Sequence, residues 1–99
     1  MYIHYRIVQS MNIVWDKEKN DWLQVNRSIS FEEISGLILD GLYIDIVENP
    51  TRDNQMYFIM NIKEYTWVVP FLIDDKERIV LKTAFPSRKF HNKYGGDNE

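Results

Sequence analysis

Apolar side chains near the start of the chain follow a strand period first and a helical period afterwards. The run 13–15, Ile-Val-Trp, has β character, and Asp16 can cap a following helix through its carboxylate. The segment 17–27 is mostly charged and polar. Its narrow apolar stripe consists of Trp22, Val25 and, less regularly, Leu23. We expect a surface helix over 17–27, with Trp22 as its anchor in the core.

The most distinct helix start in the sequence is Ser30-Phe31-Glu32-Glu33. This tetrapeptide is a capping box, in which the Ser30 hydroxyl accepts from the Glu33 backbone and the Glu33 side chain reaches back. The apolar face that follows consists of Phe31, Ile34, Leu37 and Ile38. Gly41 tolerates a left-handed conformation at the helix end, so the spacing predicts a second helix over 31–40.

Beyond Gly41 the apolar period changes from about 3.6 to 2, which is typical of strands. The predicted strands are 42–47, 56–63, 65–73 and 79–85. Short connections favour antiparallel hairpins between neighbours. Because Pro70 cannot donate to a ladder, we expect its strand to be bulged there or exposed at an edge. Pro86 ends the last strand, and Ser87 can cap a short helical turn.

These elements predict an α+β fold in one domain, residues 1–99, with the order β-α-α-β-β-β-β. Two N-terminal helices pack on one face of an antiparallel β-meander sheet, and a short C-terminal helical turn follows. Residues 1–10 are interpreted as an N-terminal extension or an extra strand, and residues 95–99 as a loose tail. A chain of 99 residues can bury one modest core.

Composition excludes several kinds of chemistry. The chain has no Cys, which excludes a disulfide framework, a Cys-based zinc site and a thiol nucleophile. The two histidines, His4 and His91, lie far apart without a carboxylate at ligand spacing, so we expect no metal and no cofactor. Apolar runs stay well short of the roughly 20 residues that span a bilayer. We therefore expect a cytoplasmic protein that does not bind membranes.

Charge is sorted along the chain. Residues 76–99 hold 6 Lys/Arg and 3 Asp/Glu, whereas residues 1–75 hold 6 and 12. The stretch 78–94 contains no acidic residue, and its basic residues are Arg78, Lys82, Arg88, Lys89 and Lys93. A positive patch on an acidic body indicates a localised anion site. The alternative interpretation is that these basic residues form a solvent-exposed surface that only aids solubility.

Three stretches of the sequence resemble the BrnT-type toxins of bacterial type II toxin–antitoxin pairs. They are Ile13-Val14-Trp15-Asp16-Lys17-Glu18-Lys19-Asn20, Ile29-Ser30-Phe31-Glu32-Glu33 and Lys82-Thr83-Ala84-Phe85-Pro86-Ser87-Arg88-Lys89. The resemblance covers residues 12–94 and implies a RelE-like fold and a small ribonuclease that stops translation. It also implies a cognate antitoxin, commonly a small DNA-binding protein, through which alone DNA would be contacted. The net charge of −3 departs from the basic charge expected of an RNA-cutting enzyme.

Metal-independent RNA cleavage requires a base, cations that stabilise the phosphorane, and an acid for the leaving oxygen. The resemblance makes Arg88 and Lys89 the first candidates for the cations, since a guanidinium contacts phosphate oxygens in pairs. His91 and Tyr94 are the candidate proton carriers, and imidazole is the side chain that needs the least tuning. The candidate substrate-binding residues are Lys82, Arg52 and Lys93.

Other interpretations of the same residues stay open. A non-catalytic RNA- or protein-binding module could use the same basic strip. For His91 the favoured interpretation is an ordinary surface residue, because one histidine near a chain end carries little information. The tryptophans lie at apolar-phase positions and are expected in the core, whereas Tyr57 and Tyr43 lie on the opposite strand phase and are better candidates for exposed contacts.

Overall fold

The computed structural model describes residues 12–95. Its helices are α1 (Lys17–Arg27), α2 (Phe31–Leu39) and the short α3 (Arg88–Phe90), which continues as a π-type turn, His91–Gly95. Its strands are β1 (Ile13–Trp15), β2 (Asp45–Glu48), β3 (Met56–Ile62), β4 (Tyr65–Ile73), β5 (Ile79–Leu81) and β6 (Phe85–Pro86). We call residues 88–95 the C-terminal turn. The predicted N-terminal extension, with His4, and residues 96–99 of the predicted tail lie outside the described residues.

The α+β class expected from the sequence is confirmed. Strands β2, β3, β4 and β5 follow one another as an antiparallel meander, and the full sheet order is β1-β5-β4-β3-β2. The sheet is nevertheless mixed, because β1 pairs with β5 in parallel, Ile13 opposite Ile79. Such a pair joins segments far apart in the sequence, and local periodicity carries no signal for it.

The single strand predicted over 79–85 is two strands, and Pro70 explains the break. Continuing the β4–β5 register would place Lys82 opposite Pro70, where the Lys82 N–H donates to the Pro70 carbonyl at 2.9 Å. Pro70 has no N–H to donate in return, so β5 ends at Leu81. Pairing with β4 resumes at β6, where Phe85 lies opposite Val68. The residues 82–84 thus lie opposite only two residues of β4, and the irregularity predicted at Pro70 is a bulge in the neighbouring segment.

Local capping fixes where both long helices begin. The Asp16 carboxylate accepts the Lys19 N–H at 2.9 Å, which starts α1 at the predicted residue. At α2 the predicted capping box is complete: the Glu33 N–H donates to the Ser30 hydroxyl at 3.1 Å, and the Ser30 N–H donates to the Glu33 carboxylate at 3.0 Å. The second helix ends at Leu39, one residue earlier than expected, with Asp40 as its C-cap.

The prediction that Trp22 anchors α1 is wrong. The buried apolar residue of α1 is Leu23, with 0% exposure, whereas Trp22 is 41% exposed and Val25 82% exposed. The Trp22 ring lies on the surface with Lys19 Nζ and Arg27 Cζ at 4.5 and 4.8 Å from its centroid. These cation–π contacts cover part of the indole without burying it in the core.

A buried amide sets which face of α1 is turned inward. Asn20 is 5% exposed, and its Oδ1 accepts the N–H of Phe31, the first residue of α2, at 2.8 Å. Its Nδ2 donates to the Glu32 carboxylate at 2.8 Å. Because Asn20 and Leu23 are three residues apart, both lie on one side of the helix, and Trp22 is turned away from α2.

The core lies between the two helices and one face of the sheet. Within it Phe58 and Phe71 stack with ring centroids 4.2 Å apart. Trp67 is buried there and Trp15 packs against it, as expected. Tyr43 also packs on this core, edge-on to Phe58 at 5.2 Å, so the prediction that it is an exposed contact residue is wrong. Tyr43 precedes β2, and strand phase does not apply to it.

Candidate functional site

The face of the sheet opposite the two helices carries the candidate site. Side chains alternate along a strand, so Tyr57 and Ile59 of β3 point away from the core that holds Phe58 and Met60. The paired residues on β4 that share their side are Thr66, Val68 and Pro70. We call this side the second face. Ile59 and Val68 are fully buried on it although they lie outside the main core cluster.

The C-terminal turn packs across the second face and begins with a cap. The Ser87 hydroxyl accepts the Phe90 N–H at 3.2 Å, and the Ser87 N–H donates to the Thr66 carbonyl at 3.0 Å. The Phe90 ring meets Tyr57 edge to face with centroids 6.3 Å apart. The Ser87 cap and the bond from Ser87 to Thr66 therefore fix where the turn begins on the second face.

His91 of the C-terminal turn packs against the beginning of β4. Its Nδ1 is 3.1 Å from the hydroxyl of Thr66, which is fully buried, and its ring stacks on Tyr65 with centroids 4.1 Å apart and an interplanar angle of 18°. Its Nε2 makes no hydrogen bond to any residue in the range 12–95. A fixed ring with one nitrogen left for a ligand is the arrangement that a proton carrier requires.

Tyr94 fastens the other end of the turn to β2. Its hydroxyl donates to Asp45 Oδ2 at 2.8 Å, and Asp45 Oδ1 accepts the N–H of Ile46 at 2.8 Å. The hydrogen bond to Asp45, then partial burial and the negative charge of that carboxylate, raise the pKa of Tyr94 above its usual value. The phenol stays protonated at neutral pH, which does not suit a general base. Its bond to Asp45 instead holds the end of the turn on β2, which is a positioning role.

The cations predicted on the turn are exposed. Lys89 Nζ lies 5.7 Å from the Phe90 ring centroid and Lys93 Nζ 5.4 Å from that of Tyr94. The Arg88 guanidinium is also exposed and has no ion pair or hydrogen bond with the described part of the chain. All of these side chains are available to an anion.

Arg78, which the sequence placed in the basic patch, belongs elsewhere. It lies in the turn between β4 and β5, and its Nε pairs with Asp74 Oδ2 at 2.8 Å. The Arg78 backbone N–H, followed by its guanidinium, holds the pKa of Asp74 below its usual range. This cation is neutralised locally and does not extend the anion site.

Arg52 and Lys82 both line a pocket of about 340 Å³ at one end of the second face. The pocket lies between the β2–β3 loop and the segment that follows β5. Its other lining residues are Asn49, Thr51, Gln55, Tyr57, Pro70 and Thr83. Tyr57 therefore connects the pocket with the C-terminal turn, since it lines the pocket and also contacts Phe90 of the turn.

The structure thus places the predicted site residues in two adjacent groups on the second face. The turn carries Arg88, Lys89, His91, Lys93 and Tyr94; the pocket holds Arg52 and Lys82. Sequence reasoning missed the polar partners Asp45, Gln55 and Thr66. The alternation of side chains along β3 was the usable sequence signal for the second face, because it placed Tyr57 on the side opposite the core.

Within residues 12–95, no group of three or more His, Cys, Asp or Glu side chains is arranged to hold a metal ion. None of the helices in that same range has the length and apolar character needed to cross a membrane.

Comparison with known proteins rests on three-dimensional similarity. No protein-family model matches the sequence, and no curated protein matches it. Among solved structures, the crystal structure of the ribonuclease toxin BrnT from Brucella abortus superimposes with a TM-score of 0.61. The match covers 79% of this chain and 97% of that chain at 15% sequence identity. The similarity that the sequence motifs indicated is therefore present in the backbone, and this protein has a BrnT-like fold.

Proposed function

We propose that this protein is the toxin of a type II toxin–antitoxin pair, an endoribonuclease that cleaves RNA without a metal, inhibits translation and is neutralised by a cognate antitoxin. The observation that carries the proposal is the gathering of exposed cations on one face of a BrnT-like fold. Arg52 and Lys82 line the pocket, and the exposed Arg88-Lys89 pair lies on the turn that packs across the second face through Phe90 and Tyr57.

The chemistry proposed for this face is intramolecular. The ribose 2′-oxygen attacks the adjacent phosphorus, the bond from phosphorus to the 5′-oxygen breaks, and a 2′,3′-cyclic phosphate and a 5′-hydroxyl result. Arg88 and Lys89 stabilise the charge that develops on the phosphorane oxygens. One proton leaves the 2′-hydroxyl and one is added to the departing 5′-oxygen; His91 carries one of them through Nε2, because Nδ1 is held by Thr66, and solvent water carries the other. Tyr94, kept protonated by Asp45, positions the turn.

A charge-matched pair of variants tests the chemistry. Purified protein is incubated with single-stranded RNA in EDTA, and cleavage rates are compared for wild type, Arg88→Ala/Lys89→Ala and Lys17→Ala/Lys76→Ala. The control removes two exposed cations that lie outside the second face, in α1 and in the β4–β5 turn. We expect the Arg88 and Lys89 variant to lose about 100-fold or more in rate, as removal of a transition-state donor commonly costs, and the control to stay near wild type.

A catalytically weak binding module is the second candidate, because the net charge of −3 departs from the basic charge expected of an RNA-cutting enzyme. RNA binding without products in wild type would support that module and contradict the nuclease. Equal cleavage by wild type and Arg88→Ala/Lys89→Ala would contradict the assigned site.

The biological part of the proposal has its own test. Induction in the bacterial cytoplasm is expected to arrest growth, and co-expression of a small DNA-binding protein encoded by a neighbouring gene is expected to relieve the arrest. DNA is then contacted through that partner alone. Growth that continues unchanged on induction of soluble protein would contradict the assignment as a toxin.

A further inference from the structure

We propose that the pocket between Arg52 and Lys82 holds one unpaired base of a single-stranded RNA and selects bases with carbonyl edges, guanine and uracil, over adenine and cytosine. The inference rests on the proposed function, because it names the substrate preference of the same face. It concerns the base, whereas the C-terminal turn acts on the phosphate.

The dimensions of the pocket fit a single nucleotide. Its volume of about 340 Å³ lies at the small end of the roughly 300–1,000 Å³ found for small-molecule sites. Tyr57 pairs directly with Pro70 across β3 and β4, so their side chains lie next to each other in its lining. A half-buried aromatic ring beside cations is the combination on which single-stranded nucleic acids stack.

The hydrogen-bonding groups of the pocket are mainly donors. Asn49 Oδ1 already accepts the N–H and the hydroxyl of Thr51, at 2.9 and 3.0 Å. Gln55 Oε1 already accepts Asn49 Nδ2 at 3.4 Å. Asn49 Oδ1 thus has both lone pairs in use and Gln55 Oε1 has one, whereas Gln55 Nε2 offers its two hydrogens and Arg52 and Lys82 can only donate.

Donors distinguish the bases by their exocyclic groups. Guanine presents the acceptors N7 and O6, and uracil presents O4, whereas adenine and cytosine present amino groups at the corresponding positions. An amino group directed at Gln55 Nε2 or Arg52 would face another donor and lose its hydrogen bond to water without replacement. The lining therefore favours carbonyl-bearing bases.

Uracil and cytosine give the sharpest comparison, since they share one ring and differ only at N3 and at the group on position 4. Binding of fluorescent 2′-O-methyl oligomers of eight uridines or eight cytidines, which lack the attacking hydroxyl, is measured by anisotropy at one fixed salt concentration. We expect wild type to bind the uridine oligomer at least about five-fold more tightly. Gln55→Glu replaces the donor by an acceptor at nearly constant shape, and we expect it to reduce that ratio to about one or below.

Two further variants separate charge and stacking from selectivity. Gln24→Glu makes the same change in charge on the exposed side of α1 and is expected to keep the wild-type ratio. Tyr57→Ala is expected to weaken both oligomers about ten-fold, and Tyr57→Phe to retain binding. Circular dichroism checks that each variant is folded.

The outcomes distinguish this proposal from the nuclease. Equal binding of the two oligomers by wild type, or a ratio that survives in Gln55→Glu, overturns the pocket assignment and leaves cleavage in EDTA as an independent result. A uridine preference that disappears in Gln55→Glu supports the pocket, even in a protein that yields no cleavage products.

Discussion

Replacing Asn20 by Ala tests whether one buried amide holds α1 against α2. Asn20 Oδ1 is the acceptor for the Phe31 N–H at 2.8 Å, and this donor is buried. In Asn20→Ala the N–H stays buried without an acceptor, which costs about 1–3 kcal/mol. The bond from Asn20 to Glu32 adds little, since that carboxylate is on the surface. We therefore expect the free energy of unfolding to fall by about 1–3 kcal/mol.

Urea denaturation followed by far-ultraviolet circular dichroism measures this loss. Asn26→Ala is the matched control, because Asn26 lies on the exposed side of the same helix and donates to the Trp22 carbonyl at 2.9 Å. Both variants gain the same helix propensity from Ala, and the control is expected to change stability by no more than about 0.5 kcal/mol. With a slope near 2 kcal/mol per molar urea, the Asn20→Ala midpoint falls by about 0.5–1.5 M. The same variant is expected to raise the pKa of Glu32, which the Asn20 amide lowers more than any other contact. Equal midpoints for the two variants would refute the argument.

Three other measurements test the fold. Leu23→Ala is expected to cost about 2–5 kcal/mol and the adjacent Trp22→Ala less than about 1 kcal/mol, and thermal melts in the reverse order would show that the inner face of α1 is assigned wrongly. Because Asp45 raises the pKa of Tyr94, the stability from this contact is complete below the ordinary phenol pKa and is lost as pH rises through the higher folded pKa. The difference in melting temperature between wild type and Tyr94→Phe must therefore shrink from about pH 9 to 11. Gly36→Ala is expected to stabilise α2 by about 0.5–1 kcal/mol, since an added Cβ meets no atom within 4 Å, and a lower melting temperature would contradict this.

The sequence predicts the beginnings of the helices well because capping is a local interaction. Asp16 and Ser30 each bond to a backbone N–H three residues ahead, and that spacing is visible in the sequence. The orientation of α1 was not predictable in this way. A buried polar residue, Asn20, decides it, and a count of apolar positions assigns the inner face to Trp22.

The candidate site was predictable where charge alone defines it and unpredictable where distant segments meet. Arg88 and Lys89 stand out in a stretch without acids. Arg52 and Lys82 line the same pocket because of the registers of β3, β4 and β5, which the sequence does not reveal. No sequence pattern marks the side-chain amide of Gln55 as part of the pocket. Arg78 was assigned to the basic patch by its charge, although its ion-pair partner Asp74 lies only four residues away in the sequence.

The parallel pairing of β1 with β5 affects how the polypeptide reaches its native state during synthesis. β1 is made early, yet its only strand neighbour in the described sheet, β5, belongs to the last quarter of the chain. Contacts of such long sequence separation form slowly, and domains fold as units once their partners are available. A nascent chain on the ribosome therefore lacks both a completed sheet and the turn that carries the cations until residues 79–95 have been translated, so any activity of this face appears only after that point.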